Sequence, residues 1–104
     1  MAIFTGPATP VSIIGPGSNG ASIGFQSITG LSSAQSLTVP TGAVYAVVSP
    51  STQAVRWRSD GTAPTATVGM PLAVNADYTF SGADLAAVKF IEQTASASLN
   101  VTYY

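Results

Sequence analysis

From position 23 onward, short runs in which apolar and polar residues alternate are separated by clusters of Gly, Pro, Ser, Asn and Asp. Period-two alternation places successive side chains on opposite faces of an extended chain, and the clusters between supply turn chemistry. This pattern predicts strands over 23–28, 35–39, 43–49, 53–58, 70–74, 77–81, 87–92 and 97–103. Within them Leu37 and Val39, Val55 and Trp57, Tyr78 and Phe80, Val88 and Phe90, and Leu99, Val101 and Tyr103 recur on one face and form the predicted core. The run 43–48 is apolar on both faces, as expected of a central strand whose second face is covered by an arm, a loop or a partner. Turns are expected at Pro40-Thr41-Gly42, Ser49-Pro50-Ser51 and Ser59-Asp60-Gly61. The stretch 81–87, SGADLAA, suits one helical turn and no more. The expected fold is all-β: a single β-sandwich over 23–104, jelly-roll-like, with about eight strands.

Residues 1–22 read differently. Gly and Pro punctuate them too densely for a helix, which leaves an extended N-terminal arm with apolar clusters at Ile3-Phe4 and Val11-Ile13-Ile14. A free tail would be more polar, so the arm is expected to dock, on its own domain or across a neighbour. Gly6, Pro7 and Pro10 interrupt the start and no basic region precedes them, so secretory export is not expected. No run reaches the ~18 apolar residues that cross a bilayer, and no membrane association is expected.

Composition sharpens this picture. The chain has 104 residues, of which 46% are hydrophobic and only 7% charged, with a formal net charge of −1. A surface dressed in Ser, Thr, Asn and Gln with net charge near zero favours association, so the chain is expected to live against partners. Three cations, Arg56, Arg58 and Lys89, are too few for nucleic-acid binding, which gains affinity from several phosphate contacts. There is no Cys and no His. General acid–base work would fall to Asp60, Asp77, Asp84, Glu92 and Lys89, and nucleophiles lack an activating base. The expectation is a non-enzymatic protein without cofactor or metal. The one local seed for a cation, Ser59-Asp60-Gly61-Thr62, reads as a turn in which Asp bonds nearby backbone and Gly takes positive φ. The GPG and GSNG clusters read as turns as well, without a Lys or a following helix to hold phosphate.

The segment AVRWRSDGTAPTATVG, residues 54–69, concentrates charge and aromatic surface. Arg56 and Arg58 lie two apart and project from one face, while Val55 and Trp57 turn to the other. Two uses of the arginines are open: pairing with Asp60, Asp77 or Glu92 of the same chain, or bonding to carboxylates and carbonyls of another subunit. Trp57 is expected in the core, and exposure of its ring beside Tyr45 or Tyr104 would point to a sugar platform instead.

The order AVRWRSDGTAPTATVGMPLA, with YTFSGADLAAVKFIEQTASASLNVTYY at the C-terminal end, resembles small virion proteins of tailed bacteriophages, most of all capsid decoration (cement) proteins. The resemblance covers roughly residues 43–104 and leaves out the arm. It implies a sandwich that bridges neighbouring major capsid subunits on the virion surface, made in the bacterial host cytoplasm, and it transfers no catalytic residues. Partners would be the major capsid protein and copies of the chain itself as dimer or trimer, with the strand 97–103 or the arm as pairing edge. Contact residues would be Arg56, Arg58, Ile3, Phe4, Val11 and Ile13. The rival expectation is a carbohydrate- or host-receptor-binding module on head or tail, since one fold serves both roles.

Overall fold

The alternating segments close into two sheets. The computed structural model describes residues 21–104. Its strands are β1 (Gly24–Ile28), β2 (Gln35–Ser36), β3 (Tyr45–Ser51), β4 (Val55–Arg58), β5 (Met70–Leu72), β6 (Tyr78–Ser81), β7 (Lys89–Glu92) and β8 (Ser98–Tyr103). A one-turn helix, α1 (Asp84–Ala87), links β6 to β7. Each predicted strand segment overlaps one of these strands, β3 running two residues past its predicted end at 49, and the helical turn falls where SGADLAA places it.

The first sheet has the order β1-β8-β3-β6 and the second β2-β7-β4-β5. All pairings are antiparallel and they nest: β4 with β5, β3 with β6, β2 with β7, β1 with β8. One long hairpin, bent over so that successive strand pairs fall in opposite sheets, produces this order. The core lies between the sheets. Val48, Val55, Val88, Phe90, Leu99 and Val101 are fully buried, and Phe80 and Tyr103 are 1% exposed. Phe80 of the first sheet meets Phe90 of the second edge-to-face at 5.4 Å, a geometry that adds about 0.5–1.5 kcal/mol to the area buried. Leu31 and Leu85 close the core from the connections, where no period-two signal announces them.

Four expectations are corrected. Val39 and Tyr78 are not core: they are 37% and 44% exposed. Val39 lies past the two-residue β2, and Tyr78 opens an edge strand. Ser49-Pro50-Ser51 is not a turn but the end of β3, with Pro50 opposite Leu99 and the reversal at Thr52, φ 67°. Proline is tolerated there because the Pro50 carbonyl accepts the Asn75 N–H at 2.9 Å, on the side where pairing with β6 has stopped at Val48. The missing N–H points to that same side, so no ladder bond to β8 is lost. Finally, β8 is not a pairing edge, because β1 and β3 flank it; the edges of the first sheet are β1 and β6.

The arm residues Ile3, Phe4, Val11 and Ile13, and the GPG and GSNG clusters, lie outside the described residues. The fold takes up the chain at Ile23, whose N–H donates to the Tyr103 carbonyl at 2.8 Å. Among the described residues no helix is long and apolar enough to cross a membrane.

Candidate functional site

Strand β4 runs between β5 and β7, with Val55 and Trp57 turned inward and Arg56 and Arg58 outward, as their alternation predicts. Both arginines are engaged within the chain. Arg58 forms a two-pronged pair with Asp60, Nε to Oδ1 at 3.0 Å and Nη2 to Oδ2 at 2.5 Å. The Arg58 hydrogen bond is the main force holding the Asp60 carboxyl down to about 2, and the same bond raises Arg58 above its usual value. The Thr62 N–H donates to Asp60 Oδ1 at 3.4 Å, and Gly61 follows at φ 92°, so Ser59-Asp60-Gly61-Thr62 has the turn chemistry read from its sequence.

Arg56 does something the sequence did not announce. Its Nε donates to the Ala66 carbonyl at 3.1 Å and its Nη1 to the Gly69 carbonyl at 2.8 Å. The connection from β4 to β5 is thereby stapled back onto β4. Thr65 tightens its tip, with Oγ1 accepting the Val68 N–H at 3.0 Å. Gly69 completes the staple at φ 143°, where a Cβ would stand 3.1 Å from the Trp57 carbonyl oxygen and 3.2 Å from Arg56 Cβ. Only glycine admits so close a backbone approach. Carbonyl acceptors carry no side-chain signature, so this use of Arg56 was invisible in the sequence, whereas Arg58 and Asp60, two apart across a turn, were legible as a pair.

Trp57 is half-buried rather than sealed in the core. Across the second sheet it stands between Phe90, fully buried, and Met70, which is 57% exposed on the edge strand β5. Its ring packs edge-to-face on Phe80 at 4.9 Å and tilts against Tyr78 at 5.1 Å. The aromatic neighbour is therefore Tyr78; Tyr45 and Tyr104 stack on each other instead, at 4.9 Å. Trp57, Arg58, Ser59, Asp60, Val68, Gly69 and Met70 line an open depression of about 470 Å³ where the β4–β5 connection leaves β4 and enters β5.

The outer faces of the two sheets differ in kind. Lys89 lies opposite Arg58 and Ile91 opposite Arg56, so all three cations of the chain sit on the outer face of the second sheet. The outer face of the first sheet carries Phe25 and Ser27 of β1, Ser98, Asn100 and Thr102 of β8, the odd-numbered residues of β3, and Thr79 and Ser81 of β6. None of these is charged. Phe25, opposite Thr102, is 66% exposed.

The remaining acids are dispersed. Glu92 Oε1 accepts the backbone N–H groups of Ser96 and Ala97 at 3.2 and 3.4 Å, fastening the β7–β8 turn. Among the described residues no three acidic side chains gather at a point that would hold a metal ion. Compared with protein-family models, with curated proteins and with solved structures, the chain matches none.

Proposed function

We propose that the protein is a non-enzymatic structural component of a tailed-phage virion that decorates the capsid and cements neighbouring major capsid subunits. The observation that carries this reading is the outer face of the first sheet, a four-stranded surface without a charged residue and with Phe25 two-thirds exposed. Contiguous uncharged surface of this kind favours association and gains by being covered. The nested strand pairing supports the finer reading of the sandwich as a jelly roll, an architecture common in capsid proteins. The low total charge and the apolar arm residues Ile3, Phe4, Val11 and Ile13 agree with attachment along a neighbour. On a lattice each such contact can be weak, because many copies act together.

In this reading Arg56 and Arg58 serve the surface indirectly, by holding the β4–β5 connection. Capsids with and without the protein, heated in parallel and scored for released DNA, test the proposal. Decorated capsids should survive to higher temperature, and equal survival would sink the cementing role. Cryo-electron microscopy of the particle then locates the chain, and density on the tail would overturn the capsid address.

A further inference from the structure

Four strands end the two sheets, β1 and β6 in the first and β2 and β5 in the second, and three of them are blunted as edges. β2 is two residues long, β5 is three residues with Pro71 at its centre, and α1 packs against β6. Short length, proline and a covering helix each keep an edge from recruiting another strand. β1 has none of these. It runs Gly24–Ile28 without proline, charge or bulge, in unbroken register with β8. Gln26 ties the two sheets together through Thr38, but those side-chain bonds leave the backbone flank of β1 open.

The ladder shows which backbone groups are open. Tyr104 and Tyr45 exchange both N–H to carbonyl bonds, at 2.9 and 3.1 Å, so the even-numbered residues of β8 bond to β3 and the odd-numbered ones to β1. The odd-numbered residues lie opposite Gly24, Gln26 and Ile28, whose N–H and C=O groups are thereby used. Those of Phe25 and Ser27 turn away from β8 and have no partner among the described residues. At the same place the Phe25 side chain stands 66% exposed on the outer face. On the inner side a depression of about 270 Å³ opens, with Gly24, Gln26, Thr38 and Pro40 in its lining.

Residues 1–20 lie outside the described residues, and the chain enters β1 from them. In the sequence, Pro16-Gly17-Ser18-Asn19-Gly20 separates the run that ends at Ile14-Gly15 from the run that opens β1. A five-residue, glycine-containing connection between two alternating runs is a hairpin signal. Folded back over that loop, Gly15 falls beside Ala21, Val11 beside Phe25 and Thr9 beside Ser27, the two β1 residues whose backbone groups are open. Pro10 falls beside Gln26, a position that bonds to β8 and asks nothing of this side, so its missing N–H loses no bond. Alternation stands Thr9, Val11 and Ile13 on the outer face with Phe25 and turns Pro10 and Ser12 toward the depression. We propose that residues 9–14 pair antiparallel with β1 of the same chain as a fifth strand of the first sheet, with Val11 beside Phe25. A loop this short holds the segment at an effective concentration of about 1 mM, so at micromolar protein it prevails over the same segment of a second copy. The outer face widens and stays uncharged, and Ile3 and Phe4 lie beyond the added strand. The pairing holds whether or not that face meets a capsid.

Amide exchange on the full chain reads the open groups directly. The Phe25 and Ser27 N–H groups should exchange at least tenfold more slowly than in the double variant Val11→Asp, Ile13→Asp, while the β8 amides, flanked on both sides by the fold, should be alike in both. The chain has no cysteine, so paired substitutions report proximity without background. Val11→Cys with Phe25→Cys should oxidise within the chain at least tenfold faster than Ser12→Cys with Phe25→Cys, because paired strand residues stand at a Cα spacing of about 5.5 Å that a disulfide spans and neighbours in sequence face opposite ways. Exchange at Phe25 and Ser27 that ignores the double substitution overturns the proposal, as do equal oxidation rates for the two cysteine pairs. A disulfide between chains, or protection that rises with protein concentration, also overturns it and gives the edge to the arm of a second copy.

Discussion

The two long edges of the sandwich are finished by different physics. At the β1–β2 edge Gln26 points inward and ties the sheets together: its Oε1 accepts the Tyr103 hydroxyl at 2.6 Å and the Thr38 N–H at 3.1 Å, while its Nε2 donates to Thr38 Oγ1 at 3.1 Å. Tyr103 is 1% exposed and its burial raises the phenol above its ordinary value. At the β5–β6 edge no such bridge forms among the described residues. There the cross-strand row Phe90, Trp57, Met70 runs from fully buried to mostly exposed, and a depression opens beside Trp57 and Met70. One edge is closed by hydrogen bonds that satisfy polar groups turned into the core. The other leaves apolar surface open and fixes only its rim, which is the arrangement of a surface kept for contact.

Substitutions can break this contrast from either side. The largest effect is expected at Phe80, the ring on which the open edge rests. Phe80→Ala should lower unfolding free energy by about 3–5 kcal/mol in chemical denaturation and also make Trp57 more easily quenched by acrylamide. If stability falls but quenching stays as in the wild type, Phe80 does not support Trp57. The bridged edge should respond to Gln26→Ala with a loss of about 1–3 kcal/mol, because the buried Tyr103 hydroxyl is left without its acceptor. The double variant Gln26→Ala, Tyr103→Phe should recover part of that loss. A double-mutant cycle with additive effects would show that the bridge carries no coupling.

Arg56→Ala should cost about 1.5–3 kcal/mol through its charged hydrogen bonds and should raise amide exchange at Val68 and Gly69. Unchanged exchange there would mean that the connection holds without its staple. The smallest effect belongs to Asp60. Its folded pKa, about 2, lies below the ordinary carboxyl value of 3.8, so the pair stabilises the fold above pH 3.8 and the contribution disappears as pH falls through about 2. Carbon-detected titration should place Asp60 near 2 in the wild type and closer to 3.8 in Arg58→Gln; identical titration curves would remove the pair from the account.

Much of this was legible in the sequence, and the failures are instructive. All eight strand segments could be read because turn residues separate runs whose side chains alternate. Pro50 misled because proline ordinarily breaks a central strand; β3 is central only as far as Val48, and no sequence pattern shows where its neighbour stops. The same blindness to neighbours hid the exposure of Tyr78, which alternates correctly with Phe80 yet stands where β6 begins at the open edge. Leu31 and Leu85 reach the core from connections, outside any periodic run. At the site, the facing of Arg56 and Arg58 followed from period two, but the partners of Arg56 are backbone carbonyls, fixed by the path of a connection. Nested pairing likewise depends on which strands meet, and alternation reports only which way each strand faces.

That nesting has a kinetic consequence. The pairs differ widely in the length of chain they enclose, from β4 with β5 on the inside to β1 with β8, where Gly24 meets Tyr103, on the outside. Loop closure costs more entropy as the enclosed chain lengthens, and each inner pair brings the next one closer together. Assembly is therefore favoured from the inside out, with the stapled β4–β5 connection as the earliest closure and β1 as the last strand to dock. Folding should be slow for a chain of this size, and until β1 arrives the flank of β8 stays open to any other strand that reaches it.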